Sequence, residues 1–141
     1  MPFKHIIHDG FLKDARAIKN IYPKFGEDLK RLRQSLEAKT GANNPNSKDL
    51  GGGLFKFYLS ITGKPASKSF GARIIYLLIT SDEEIWYLMC YDKSDKRDLT
   101  HTDKKAIKKL AIEINNISSE ERLLKFRSGT LARKRGIKRN G

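Results

Sequence analysis

The chain has 141 residues, enough for one domain with its own core, and carries 29 Lys and Arg against 16 Asp and Glu, a formal charge of +13. Its single cysteine, Cys90, excludes a disulfide framework, and no apolar run is long enough to cross a bilayer as a helix. The opening stretch MPFKHIIHDG lacks an apolar core of signal-peptide length, so the expectation is a cytoplasmic protein whose charge attracts polyanions, nucleic acid first.

Met1 to Asp9, with Phe3, Ile6 and Ile7 as its apolar content, reads as a short first strand at a sheet edge. His5 and His8 lie three apart, but no further His or Cys is near, so they read as hydrogen-bonded or exposed histidines and not as metal ligands. Asp9 is a candidate cap for a helix over residues 11–21, in which Leu12, Ala15, Ile18 and Tyr22 recur at helical spacing. Pro23 ends that helix and opens a second. There Phe25, Leu29, Leu32 and Leu36 form the apolar stripe, and Gly41 supplies the stop. Two helices with one apolar stripe each must cover one side of something.

Residues 42–49 (ANNPNSKD) read as a polar connector, and Gly51-Gly52-Gly53 leads into the first main strand, LFKFYLSI. Period-two alternation sends Phe55, Phe57, Leu59 and Ile61 to the helix side, leaving Lys56 and Tyr58 on the opposite face. The triple glycine is no phosphate loop, because no helix and no Lys-Ser/Thr pair follow it. A loop bearing Lys64 and Lys68 then leads to ARIIYLLIT, apolar on both faces and therefore a central strand, with Tyr76 in the core. A tight turn at 81–84 returns the chain as IWYLMCY, with Cys90 a buried small hydrophobe. Three strands joined by short polar turns predict an antiparallel meander. The charged exit loop DKSDKRDLT follows. Thr100 with Asp103, and Ser118 with Glu121, are capping pairs for two further helices, the first with a stripe of Ala106, Ile107, Leu110, Ala111 and Ile114. From Ser118 onward there are eight basic and two acidic residues, so the tail holds +6 of the charge and the rest of the chain holds +7. The predicted organisation is a domain over 1–116, then a short helix and basic tail over 117–141.

The expected fold is α+β: a small antiparallel β-sheet, a three-stranded meander plus an N-terminal strand, packed on one face by two N-terminal helices, with a C-terminal helix. The segments LGGGLFKFYL, GKPASKSFGARIIYLLI and IWYLMCYDKSDKRDL, in that order of elements, resemble the RelE/HigB toxins of bacterial toxin–antitoxin pairs, over about Phe11 to Ile114. The resemblance implies a RelE-like fold and a metal-independent endoribonuclease that cuts messenger RNA, usually on the ribosome, and so inhibits translation. It also implies a cognate antitoxin, mRNA and the ribosome as partners, with no membrane and no cofactor. Cleavage in that family proceeds by attack of a ribose 2′-OH on the adjacent phosphate.

The resemblance assigns the catalytic set to Lys56, Arg73, Tyr91 and Lys93. Arg73 matches the arginine on the scissile phosphate, which suits a permanently charged bidentate donor facing a dianionic transition state. Lys56 matches a strand lysine whose pKa falls in a crowd of cations, so that its neutral amine accepts a proton. Lys93 matches cations held against the substrate backbone, and Tyr91 is placed to stack on a base or donate a proton. Lys64, Lys68 and Lys96 match RNA-binding loop cations, although ordinary solvated lysines carry the same pattern. Tyr58 stands where RelE has a second strand lysine, and Thr100 falls near its late tyrosine, which leaves the acid–base roles open among Tyr91, His101 and Tyr58. A gyrase poison of the ParE type on the same scaffold, and a catalytically lapsed RNA or ribosome binder, are the alternatives.

Overall fold

The computed structural model describes residues 2–65, 70–95 and 98–126 of the chain. Lys68, Lys96 and the basic tail beyond Phe126 lie outside the described residues, as do the roles expected of them.

Five strands form one sheet in the order β1-β5-β4-β3-β2. They are β1 (Lys4–Ile7), β2 (Ser47–Gly51), β3 (Leu54–Leu59), β4 (Ala72–Ile79) and β5 (Glu84–Asp92). The expected meander is β3-β4-β5, antiparallel throughout, and β1 adds to its edge in parallel with β5. The second edge differs from the sequence expectation. Residues 42–49 are no mere connector: Ser47–Gly51 pairs antiparallel with β3, and Gly51, Gly52 and Gly53 make the turn between the two strands. All three glycines have positive φ, between 62° and 90°, a region where L side chains are strained.

Helices α1 (Asp9–Ile21) and α2 (Phe25–Ala38) pack on one face of the sheet. Phe11, Ala15 and Ile18 of the first and Phe25, Leu32 and Leu36 of the second meet Phe55, Phe57, Leu59 and Ile61, the set that strand alternation predicts. The cap of α1 is His8, not Asp9: its Nδ1 accepts the Gly10 N–H at 3.1 Å, which satisfies a donor that no helical carbonyl reaches. His5 is also committed locally, with Nδ1 2.7 Å from the Tyr87 hydroxyl and Nε2 3.2 Å from Glu37.

Helices α3 (His101–Asn115) and α4 (Ser119–Lys125) cover part of the opposite face, where Ile107, Ala111 and Ile114 pack with Leu54, Ile75, Leu77, Trp86, Leu88 and Tyr91. Both predicted caps form: the Thr100 hydroxyl accepts the Asp103 N–H at 3.0 Å, and that of Ser118 the Glu121 N–H at 3.2 Å. A buried polar cluster ties α4 to the start of β5. Arg122 donates to Asp82 at 2.6 Å, to Glu84 at 3.1 Å and to the Ile114 carbonyl at 2.7 Å. Glu84, fully buried, also accepts from the Trp86 indole at 2.8 Å and from the Ser119 hydroxyl. These bonds satisfy charges that would otherwise be costly to bury.

A close backbone approach at the start of β4 constrains the β3–β4 pairing that matters below. Gly71 has φ of 102°, and a Cβ there would stand 2.8 Å from the Leu59 carbonyl, so only glycine lets the returning chain approach this closely. In the β4–β5 ladder the pairs Ile75↔Met89 and Tyr76↔Tyr87 leave Leu88 of β5 as an extra, bulged residue. Alternation along β4 keeps Tyr76 on the helix side, where its hydroxyl meets Ser47 at 2.8 Å and the Gly41 N–H at 3.1 Å.

Candidate active site on the cationic half of the sheet

The ladders bring three of the expected residues and one of the doubtful ones together. Tyr58 is the direct partner of Arg73 across β3–β4, and Arg73 is the direct partner of Tyr91 across β4–β5. Side chains opposite one another in neighbouring strands share a face, so Tyr58, Arg73 and Tyr91 form one row on the face away from α1 and α2. Lys56, two residues before Tyr58, has the same parity and belongs to the next row, where it faces Lys48 of β2.

Arg73 is buried, and its guanidinium carbon lies 4.9 Å from the centre of the Tyr58 ring. This cation–π contact places the guanidinium over the ring face, and its Nη1 donates to the Ala72 carbonyl at 3.5 Å. Tyr91 is buried beside it, with 6% of its surface exposed. Among the described residues its hydroxyl is the one buried side-chain polar atom without a hydrogen-bond partner. Burial raises the phenol's pKa to about 12; Asp98 and Asp103 push the same way, and Arg73 pulls it back. The hydroxyl therefore keeps its proton at neutral pH and is available as a donor.

Lys56 is perturbed in the opposite sense. Burial, the largest cause, lowers its pKa from the ordinary 10.5. The Asp98 carboxylate, 3.7 Å from Nζ, restores part of this, and the charges of Lys48, Lys93 and Arg73 lower it further. An amine that sheds its proton more readily than an ordinary lysine is a better proton acceptor near neutral pH. Lys93, two residues past Tyr91, is within electrostatic reach of Lys56, and its backbone N–H is fixed to the Gly71 carbonyl at 2.9 Å.

Lys64 is placed elsewhere. Its ammonium pairs with Asp92 at 3.0 Å, bonds the Ser94 hydroxyl, and sits 5.3 Å over the Tyr22 ring and 5.8 Å over Phe70. Burial works against the charge, but the Asp92 hydrogen bond and carboxylate, with Tyr22, outweigh it and raise its pKa. Here the lysine clips the β3–β4 loop to the end of β5. Thr100 is used as a helix cap, and His101 is the exposed first residue of α3.

Two participants went unread in the sequence. Asp98 in the exit loop is the carboxylate acting on Lys56, and Lys48 adds to the cationic field around it. SKDLG carries little apolar alternation to mark β2 and hence Lys48, and nothing in the composition of DKSDKRDLT singled out Asp98 from its neighbours. Among the described residues no group of three or more His, Cys, Asp or Glu is arranged to hold a metal ion, and no helix is long and apolar enough to cross a membrane.

Helices on both faces of one five-stranded sheet, with Lys56, Tyr58, Arg73 and Tyr91 sharing the face away from α1 and α2, make this an α+β domain. Residues 26–132 match the family described as RelE toxin of RelE / RelB toxin-antitoxin system, and the chain belongs to that family. It is thus a toxin of the toxin–antitoxin class, whose partner is a cognate antitoxin. The match begins at α2 and runs past Ile114, so it takes in α3 and α4 and excludes α1. No curated protein matches the chain.

Proposed function

We propose that the protein is a metal-independent endoribonuclease that cuts messenger RNA on the ribosome and so arrests translation. The observation that carries this reading is the buried Tyr91 hydroxyl, without a partner and in direct register with Arg73. A buried hydroxyl left unsatisfied costs free energy, and a substrate oxygen placed there removes that cost.

In the reaction, a ribose 2′-oxygen attacks the adjacent phosphorus and the bond from phosphorus to the 5′-oxygen of the next nucleotide breaks. The neutral Lys56 amine takes the 2′-OH proton. The Tyr91 hydroxyl gives its proton to the departing 5′-oxygen. Arg73, held by Tyr58, donates to the non-bridging oxygens as they gain charge, and Lys93 holds a neighbouring phosphate. The products are a 2′,3′-cyclic phosphate and a 5′-hydroxyl end. Fixed donors aimed at developing charge contribute roughly 10²–10³ in rate, and positioned proton transfer a further 10²–10⁴.

The test is primer-extension mapping of messengers after brief expression. Wild type is expected to give discrete new 5′ ends within coding sequence, and Lys56→Ala and Arg73→Ala to give none at equal protein level. Arrest of translation as strong in both variants as in wild type would overturn the reading, as would gyrase-dependent DNA breaks with messengers intact.

A further inference from the structure

We infer that Asp98 is a built-in stand-in for a substrate phosphate: its carboxylate occupies the anion position beside Lys56 and has to be displaced by the RNA backbone. This rests on the endoribonuclease reading above and adds a regulatory residue to its site.

The exit loop after β5 carries Asp98 between two fixed points. Leu99 is buried in the same cluster as Tyr91 and Ile107, and Thr100 is locked as the cap of α3. Asp98 accepts its neighbour's N–H, from Leu99, at 2.8 Å, and the same oxygen lies 3.7 Å from Lys56 Nζ. The charges of Lys93 and Lys104 act on the carboxylate as well, and the carboxylate in turn acts on the Tyr91 phenol. A phosphodiester bound by those cations has to use the same space.

The strength of the contact fits displacement. The Asp98 side chain is 61% exposed and its distance to Lys56 exceeds that of a direct hydrogen bond, so water and salt screen the pair. A phosphate offers several acceptor oxygens to Lys56, Arg73 and Lys93 together, where the carboxylate engages only one edge of the cluster. Asp98 thereby lowers the affinity of the free site for chance polyanions and yields to a substrate that also contacts Arg73.

The experiment measures binding of a labelled single-stranded RNA made uncleavable by 2′-deoxy residues, at low ionic strength, for the full chain and two variants. Asp98→Asn removes the stand-in. Asp95→Asn removes the same charge from the same loop, at an exposed residue outside the Lys56 contact. Asp98→Asn is expected to bind about fivefold more tightly than wild type and Asp95→Asn within about twofold of it, with the maximal cleavage rate of Asp98→Asn not reduced. Equal tightening by both variants would overturn the inference by reducing it to overall charge. A hundredfold fall in maximal rate with binding unchanged would also overturn it, by making Asp98 a proton-transfer group. Failure of the underlying reading is separately visible as absent messenger cleavage by wild type.

Discussion

The Arg73 guanidinium lies over the ring of Tyr58, 4.9 Å from its centre, across a strand pair in which the two are direct partners. The residue standing where RelE has a second lysine thus serves Arg73 through its ring face. Tyr58→Phe keeps the ring and is expected to leave messenger cleavage within about twofold of wild type, whereas Tyr58→Leu slows it by roughly fivefold, the scale of one partly exposed cation–π contact. Single-turnover cleavage rates decide this. A hundredfold loss in Tyr58→Phe would move the acid–base role to the Tyr58 hydroxyl.

Tyr91→Phe separates catalysis from folding. Because the hydroxyl is buried without a protein partner, its removal is expected to leave the midpoint of urea unfolding unchanged or raised. Cleavage falls by about 10²-fold as the leaving oxygen loses its proton donor. Loss of stability in step with activity would mean that the hydroxyl serves the fold.

The pH dependence follows from Lys56. Its folded pKa is lowered by burial and by Lys48, Lys93 and Arg73, against the pull of Asp98. The base form is the neutral amine, so the cleavage rate rises with pH and levels off below the ordinary lysine value of 10.5. Tyr91, with a pKa of about 12, stays protonated throughout the rise. Lys48→Ala removes a charge that depresses Lys56 and shifts the rising limb to higher pH, which a rate profile between pH 6 and 10 reads directly.

Arg122 anchors α4, and its loss strands Glu84. Arg122→Met is expected to cost about 3–5 kcal/mol in chemical denaturation, because an uncompensated carboxylate stays buried. Adding Glu84→Gln recovers most of that loss, since a neutral amide needs no counter-charge. A double variant no more stable than Arg122→Met alone would show that the guanidinium acts by packing.

Strand alternation made the placement of Lys56 legible. Phe55 and Phe57 had to meet the helices, which put Lys56 and Tyr58 on the other side. Which residues of β4 and β5 lay opposite was not legible, because the long connection over 60–71 joins β3 to β4. The N-terminal strand and both later helix caps were legible for the same local reasons. Ser47–Gly51 was not, because an exposed edge strand is held by its backbone and shows little apolar alternation. Its absence hid Lys48, and it also hid the role of the triple glycine as a hairpin turn. Lys64 looked like a free loop cation because its partner, Asp92, lies 28 residues away. Asp98 owes its position to the burial of Leu99 and the cap at Thr100, a matter of loop geometry that charge patterning cannot express.

The central claim is that Lys56, Arg73 and Tyr91 cleave RNA through its own 2′-oxygen. It is tested most directly by replacing the single ribose 5′ to a mapped cleavage site with 2′-deoxyribose in a messenger on programmed ribosomes. The account predicts that cleavage at that position disappears, while the all-ribose messenger yields fragments ending in a cyclic phosphate and a 5′-hydroxyl. Continued cutting at the deoxy position, or fragments bearing a 5′-phosphate, would contradict it.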